Sequence, residues 1–330
     1  MGPLWWRHRH VFVFVLAVVA LVVQSSGATG ASGASFRTAS ARRLAATGRA
    51  VDAAYFEPGA CVEYLPTSGD RHLTIFLDAG HGGIDPGGVG ETETGQTIDE
   101  ADETLPVELA TMSLLRAKGF TVVVSRTGPT TVIRPAPGDV SGDLFTVQGV
   151  HDDVAARDVC ANKAKADVLV GIYFDAGGSS DDAGGVTGYD ADRPFSAQNL
   201  RLATLIQNDV LWAMDARGWA IPNLGVVDDS QLGGPAMTTA AADYGHLLLL
   251  GPADPGFSST PSGMPGALTE PLFITDPYEG SLAAGASGQA VIADGLARAI
   301  AQYFGPAVAG GQNSEAAAPA RHHKRAAAGG

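Results

Sequence analysis

The sequence predicts an α/β domain: a single, mainly parallel, twisted sheet flanked by helices. Three observations carry this. Apolar runs of strand length alternate with segments that have one apolar helical face. The run ADVLVGIYFD, residues 166–175, is apolar almost throughout, as a central parallel strand buried on both faces should be. The run LTIFLDAGHGGIDPGGVG, residues 73–90, passes from strand formers into a glycine-rich loop. Loops at strand ends are where α/β proteins place their chemistry.

The elements follow in order. A first strand is predicted at 73–78. Leu105, Leu109, Met112 and Leu115 make one helical face, and Pro106 belongs in a first turn, so the helix should start near Glu103 or Thr104 and end at Gly119. Residues 120–126 read as the next strand and 152–165 as a second helix. GGVTGYD, 184–190, reads as a short edge strand or hairpin arm. Ser196 reads as the N-cap of a helix reaching about Ala216. Residues 228–266 are rich in Gly, Pro, Ser and Ala, and their YGHLLLL core fits a strand or a short helix. GALTE, 266–270, is a strand, PLFITDP a loop, and about 284–304 a helix with Ile292, Leu296, Ala299 and Tyr303 inward.

Around this domain, predicted for 61–305, lie two kinds of flank. Arg7 and Arg9 precede the apolar run Val11–Val23, and small residues follow in SSGATGASGA. That is the pattern of a secretory signal peptide, 1–28, with cleavage after Ala28; an uncleaved anchor is the alternative. Residues 29–60 read as a linker, with a short helix from Ala41 to Tyr55. Residues 306–330 read as a disordered tail carrying the basic cluster Arg321–Arg325. The net charge is −14, which disfavours nucleic acid and anionic lipid as partners. An exported, soluble monomer with no stable membrane partner is expected. Cys61 and Cys160 are the only cysteines, and export favours a disulfide over two buried thiols.

No G-x-G-x-x-G, G-K-[ST] or G-x-S-x-G occurs, which argues against nucleotide binding and serine hydrolysis. A histidine in a loop that follows a strand can instead serve as a ligand or a base. Asp78-Ala79-Gly80-His81-Gly82-Gly83, followed by Asp85-Pro86-Gly87, resembles the opening motif of the zinc-dependent N-acetylmuramoyl-L-alanine amidases of the amidase 3 type. Ser125-Arg126-Thr127-Gly128, the stretch from Arg157 to Ile172 and PGALTEPLFITDP resemble later segments of that family, in order. The resemblance spans roughly 61–304.

It implies that His81 and Glu100 are zinc ligands, with Asp99 and Glu103 as nearby alternatives to Glu100. It also implies that Glu270 is the catalytic glutamate, and that the substrate is peptidoglycan or a muropeptide. The family's third ligand is a histidine in Ser-Ile-His-x-Asn, but this chain reads Gly171-Ile172-Tyr173-Phe174-Asp175. Tyrosine is a poor zinc ligand near neutral pH. Asp175, two residues on, is the replacement favoured; His72, His151 and His246 are others, and a weakened site that binds without cutting is the remaining reading. Tyr173 would then be a pocket wall or a hydrogen-bond donor to substrate. Asp78 is expected to orient His81, Asp85 to fix the loop, and Arg157 and Asn162 to serve packing and loop tethering. A backbone N–H of the glycine loop is expected to help hold an oxyanion.

Overall fold

The computed structural model describes residues 48–232 and 244–306. The predicted signal peptide and nearly all of the tail lie outside the described residues, as do residues 41–47 of the predicted linker helix. Residues 48–55 hold a two-residue strand and turns in place of that helix.

Twelve strands are described: β1 (Arg49–Ala50), β2 (Ala60–Tyr64), β3 (Thr74–Ala79), β4 (Val89–Glu91), β5 (Thr97–Asp99), β6 (Thr121–Arg126), β7 (Val140–Ser141), β8 (Leu144–Phe145), β9 (Val168–Ile172), β10 (Gly185–Tyr189), β11 (Asn223–Asp228) and β12 (Gly266–Glu270). Five helices accompany them: α1 (Glu100–Ala117), α2 (Val147–Ala164), α3 (Ser196–Asp215), α4 (Pro277–Ala284) and α5 (Ala286–Phe304).

One eight-stranded sheet runs β1-β2-β6-β3-β9-β12-β10-β11. Its centre, β6-β3-β9-β12, is parallel; β2 pairs antiparallel with β6, and β10 antiparallel with β12. Alternation along the strands splits the core. Ile75, Leu77, Val122, Val124, Val168 and Val170 face α1, α3 and α5. Phe76, Val123 and Leu169 face the other way, towards Ala156 and Cys160 of α2 and Leu247, Leu249 and Leu250.

Several boundaries depart from expectation. GGVTGYD is not at an edge: β10 lies between β12 and β11, and the edge strand β11 escaped the sequence reading. Its burial is only partial, so its apolar signal is weak. α1 begins at Glu100 rather than at Glu103, and Pro106 sits inside it. Arg126 Nη2 donates to the Ala101 carbonyl in the first turn, at 2.5 Å, and so ties the start of the helix to the end of β6. α2 starts a turn early, where Thr146 accepts from the Gly149 N–H. Phe195, not Ser196, holds the N-cap position of α3. The closing helix lies where predicted, at Ala286–Phe304, and a short helix the sequence reading did not include, α4, precedes it, with Asp276 capping α4 through the Glu279 N–H. Residues 245–250 run through turns.

Cys61 and Cys160 form a disulfide that joins β2 to α2 across 99 residues of chain. No helix among the described residues is long and apolar enough to cross a membrane.

Candidate active site

The carboxyl ends of β3, β9 and β12 lie side by side, because the three strands are parallel and in register, Ala79 beside Ile172 and Ile172 beside Thr269. His81, Asp175 and Glu270 follow directly from these ends, and Glu100 opens α1.

His81 stands in left-handed backbone, at φ +60°. Two buried arginines hold that conformation. Arg126 donates from Nε to the Ala79 carbonyl at 3.2 Å and from Nη2 to the Gly80 carbonyl at 3.1 Å. Arg157 donates from Nη1 to the Ala79 carbonyl at 2.7 Å and from Nη2 to the His81 carbonyl at 2.8 Å. Its charge is balanced by Asp78 and Asp153, both buried. Arg157 is therefore a positioning residue for the histidine, more than the packing residue the sequence suggested. Asn162 does tether loops, bonding the Pro261 carbonyl and the Gly263 N–H.

The glycines are there for close approach. A Cβ on Gly80 would come within 2.5 Å of the Tyr173 ring. One on Gly87, itself at φ +71°, would come within 2.6 Å of the His81 ring and 2.7 Å of Glu100 Oε2. The loop N–H groups of Gly80, Gly82, Gly87 and Gly88 all have internal acceptors, so none of these four holds an oxyanion as expected.

The imidazole is oriented by Asp85, not Asp78. His81 Nδ1 lies 2.8 Å from Asp85 Oδ2, while Asp85 Oδ1 also accepts from the Gly87 N–H. His81 Nε2 lies 3.1 Å from Glu100 Oε2. Glu100 is in turn fixed by the N–H groups of Gly88 and Phe174. Burial works against protonation of His81, but the charges and hydrogen bonds of Glu100 and Asp85 prevail and raise its pKa to about 10.

Asp175 accepts from the Ala176 N–H. Burial, with the charges of Glu100 and Asp182, raises its carboxyl to about 6. Glu270 is pushed well above the carboxylate range by burial, then by Asp175 and Glu100. Its Oε2 is buried without a hydrogen-bond partner. Three carboxylates, one of them with an orphaned oxygen, and an oriented imidazole are donors of the type a divalent cation takes, although their ligand atoms do not all lie within 4.8 Å of one another.

Tyr173 is a wall. Its hydroxyl donates to Asp78 Oδ2 at 3.0 Å, and its ring meets the His81 ring edge-on at 5.4 Å. Burial and the Asp78 charge push the phenol further above its ordinary range, so it neither serves substrate as a donor nor offers a phenolate. The other histidines are engaged elsewhere: His72 with Asp70, His151 with Asp152 and the Phe257 carbonyl, His246 with Asp190 and Asp229. Asp99 is the residue before α1 and Glu103 is buried within it.

The chain matches the family model for N-acetylmuramoyl-L-alanine amidase over residues 75–302. No curated protein matches it. Among solved structures it is similar to the CwlD amidase from Clostridioides difficile in complex with the GerS lipoprotein, at 21% identity, TM-score 0.52, covering 70% of this chain and 98% of that one. It is also similar to an N-acetylmuramoyl-L-alanine amidase from Clostridium difficile 630, at 24% identity, TM-score 0.49, covering 72% and 98%. A third, Ami1 from Mycobacterium smegmatis, is 18% identical with a TM-score of 0.48, covering 72% and 99%. The structural likeness speaks to the fold; the family match covers more than two thirds of the sequence and includes β3 to α5 almost entire. The chain belongs to the N-acetylmuramoyl-L-alanine amidase family.

Proposed function

We propose that this chain is a zinc-dependent N-acetylmuramoyl-L-alanine amidase that cuts the amide between the lactyl group and L-alanine in peptidoglycan. The observation that carries the reading is the orphaned Glu270 oxygen, within electrostatic reach of His81, Glu100 and Asp175. His81, Glu100 and Asp175 would hold the ion. Zinc, when bound, supplies polarisation of the scissile carbonyl and acidifies water. Glu270 takes the proton of the attacking water and returns it to the leaving amine. Asp85 keeps Nδ1 of His81 occupied, so that Nε2 is the nitrogen presented. The apolar run Val11–Val23 supports export, so the chain works outside the cytoplasm, on the cell wall and as a monomer.

A second reading is a muropeptide-binding protein without turnover. It is favoured by Tyr173, which stands where the family has a nitrogen donor and whose hydroxyl is engaged by Asp78.

The test is release of new L-alanine amino termini from purified peptidoglycan by the zinc-loaded protein. Glu270→Gln should keep zinc and lose about 100-fold or more in rate. Wild-type turnover in that variant removes Glu270 from the mechanism. Binding of muropeptide with no release in the wild type supports the second reading. Asp175→Ala should weaken zinc binding sharply while Tyr173→Phe leaves it nearly unchanged. If Asp175→Ala has no effect, Tyr173→His should tighten zinc instead.

A further inference from the structure

Asp190 and Asp229 each stand one residue past a strand, and β10 and β11 are parallel with Tyr189 beside Asp228. The register therefore brings the two aspartates together. Both are fully buried. Each has one carboxylate oxygen fixed by a backbone N–H: Asp190 accepts from Asp192 at 2.6 Å and Asp229 from Leu247 at 2.9 Å. Their other oxygens converge on one atom. His246 Nδ1 lies 3.1 Å from Asp229 Oδ1 and 3.2 Å from Asp190 Oδ2.

A single N–H on Nδ1 can serve one of these oxygens. It reaches Asp229, and Asp190 Oδ2 is left as a fully buried oxygen with no hydrogen-bond partner. Two buried carboxylates face one imidazole, with Arg193 the further cation acting on Asp190. Among the described residues, this is the one set of three His, Cys, Asp or Glu side chains whose ligand atoms all lie within 4.8 Å of one another. The spacing has a chemical reading. A tetrahedral ion with bonds of about 2.0 Å places its ligand atoms about 3.3 Å apart. With Nδ1 as ligand, the proton moves to Nε2, which faces the Asp192 carboxylate at 4.0 Å.

The place is distinct from the candidate active site. β10 runs antiparallel to β12, with Val186 opposite Glu270 and Gly188 opposite Leu268. Asp190 is four residues beyond Val186, about 13 Å along the strand, towards the amino-terminal end of β12.

We propose that Asp190, Asp229 and His246 form a second divalent-cation site, of zinc-binding chemistry, that ties the 244–250 turns to the ends of β10 and β11. Its role is structural. Arg193 already anchors the same turns through the Leu250 and Gly251 carbonyls, at 2.8 and 2.6 Å.

The test uses the whole exported chain carrying His81→Ala, so that any zinc retained belongs elsewhere. After dialysis against zinc, plasma emission should find about one equivalent per chain. Zinc should raise the midpoint of thermal unfolding by about 5 °C or more at saturation. Adding His246→Gln should remove both the equivalent and the shift. No zinc in the His81→Ala chain, or an equivalent that survives the second change, overturns the proposal. If the double variant does not fold, anomalous scattering from zinc-grown crystals of the wild-type chain decides. A peak between the three atoms supports the site, and none there overturns it.

Discussion

The two ends of the sheet assemble the same ingredients, histidine and carboxylates, to different effect. At the His81 end the histidine is gripped from behind. Asp85 takes Nδ1, two arginines hold the backbone, and Nε2 faces Glu100. The carboxylates there come from α1, from the loop after β9 and from β12, and Glu270 keeps an unpartnered oxygen. At the Asp190 end two carboxylates close directly on Nδ1, each with its other oxygen held by a backbone N–H, and Asp190 Oδ2 is unpartnered as Glu270 Oε2 is. In the proposed reading the first site takes a reacting group and the second holds chain segments together.

The largest expected effect comes from the covalent brace. Replacing Cys61 and Cys160 by alanine should destabilise the chain by roughly 4 to 5 kcal/mol in the chain-entropy account of a loop of this length. Denaturant titration of the variant against the wild type measures it, and a loss as large from zinc chelation alone would reverse the comparison. Arg157→Met should cost about 3 to 5 kcal/mol, because it leaves Asp78 and Asp153 buried without their cation. The same titration, read beside zinc content, should show loss at the His81 end with the Asp190 equivalent retained in the folded fraction.

Asp85→Asn should weaken zinc at the His81 end about 10- to 100-fold, since it loosens the imidazole from behind. Competition with a chromogenic chelator measures this; an unchanged affinity would mean the arginines alone orient the ring. The smallest effect concerns Glu108, which accepts at Oε1 from the Ala79 and Ser125 N–H groups. Burial pushes its carboxyl up to about 8, against the pull of Arg126. From the ordinary glutamate value near 4.5 to about 8, the folded chain keeps a proton that the unfolded chain releases. Its contribution to stability therefore falls as pH rises through that window and is level above it. Glu108→Gln should remove that slope, so its unfolding midpoint should gain on the wild type by a few °C between pH 5 and 8. Parallel curves for the two proteins would show that Glu108 is ionised throughout.

By itself the sequence determined the parallel core of the sheet, because β3, β6, β9 and β12 are apolar runs whose burial leaves little choice of environment. Its resemblance to the amidase family also marked His81, Glu100 and Glu270, and Asp175 as the stand-in for a missing histidine, and these four are neighbours in the fold. Cys61 and Cys160 were legible as a pair because there are no others to choose from. Tertiary structure decided what no local pattern encodes. The side on which Asp78 points is set by strand alternation, and that alone gave it to Arg157 and Tyr173 and left His81 to Asp85. Helix α1 starts before its proline, at Glu100, and its first turn is tied to the end of β6 by Arg126, which donates to the Ala101 carbonyl. Asp190, Asp229 and His246 lie in three weakly patterned segments, and only the pairing of β10 with β11 puts them together. Their meeting depends on register between strands, a long-range quantity fixed by packing of the whole sheet, so no window of sequence around any one of them contains it.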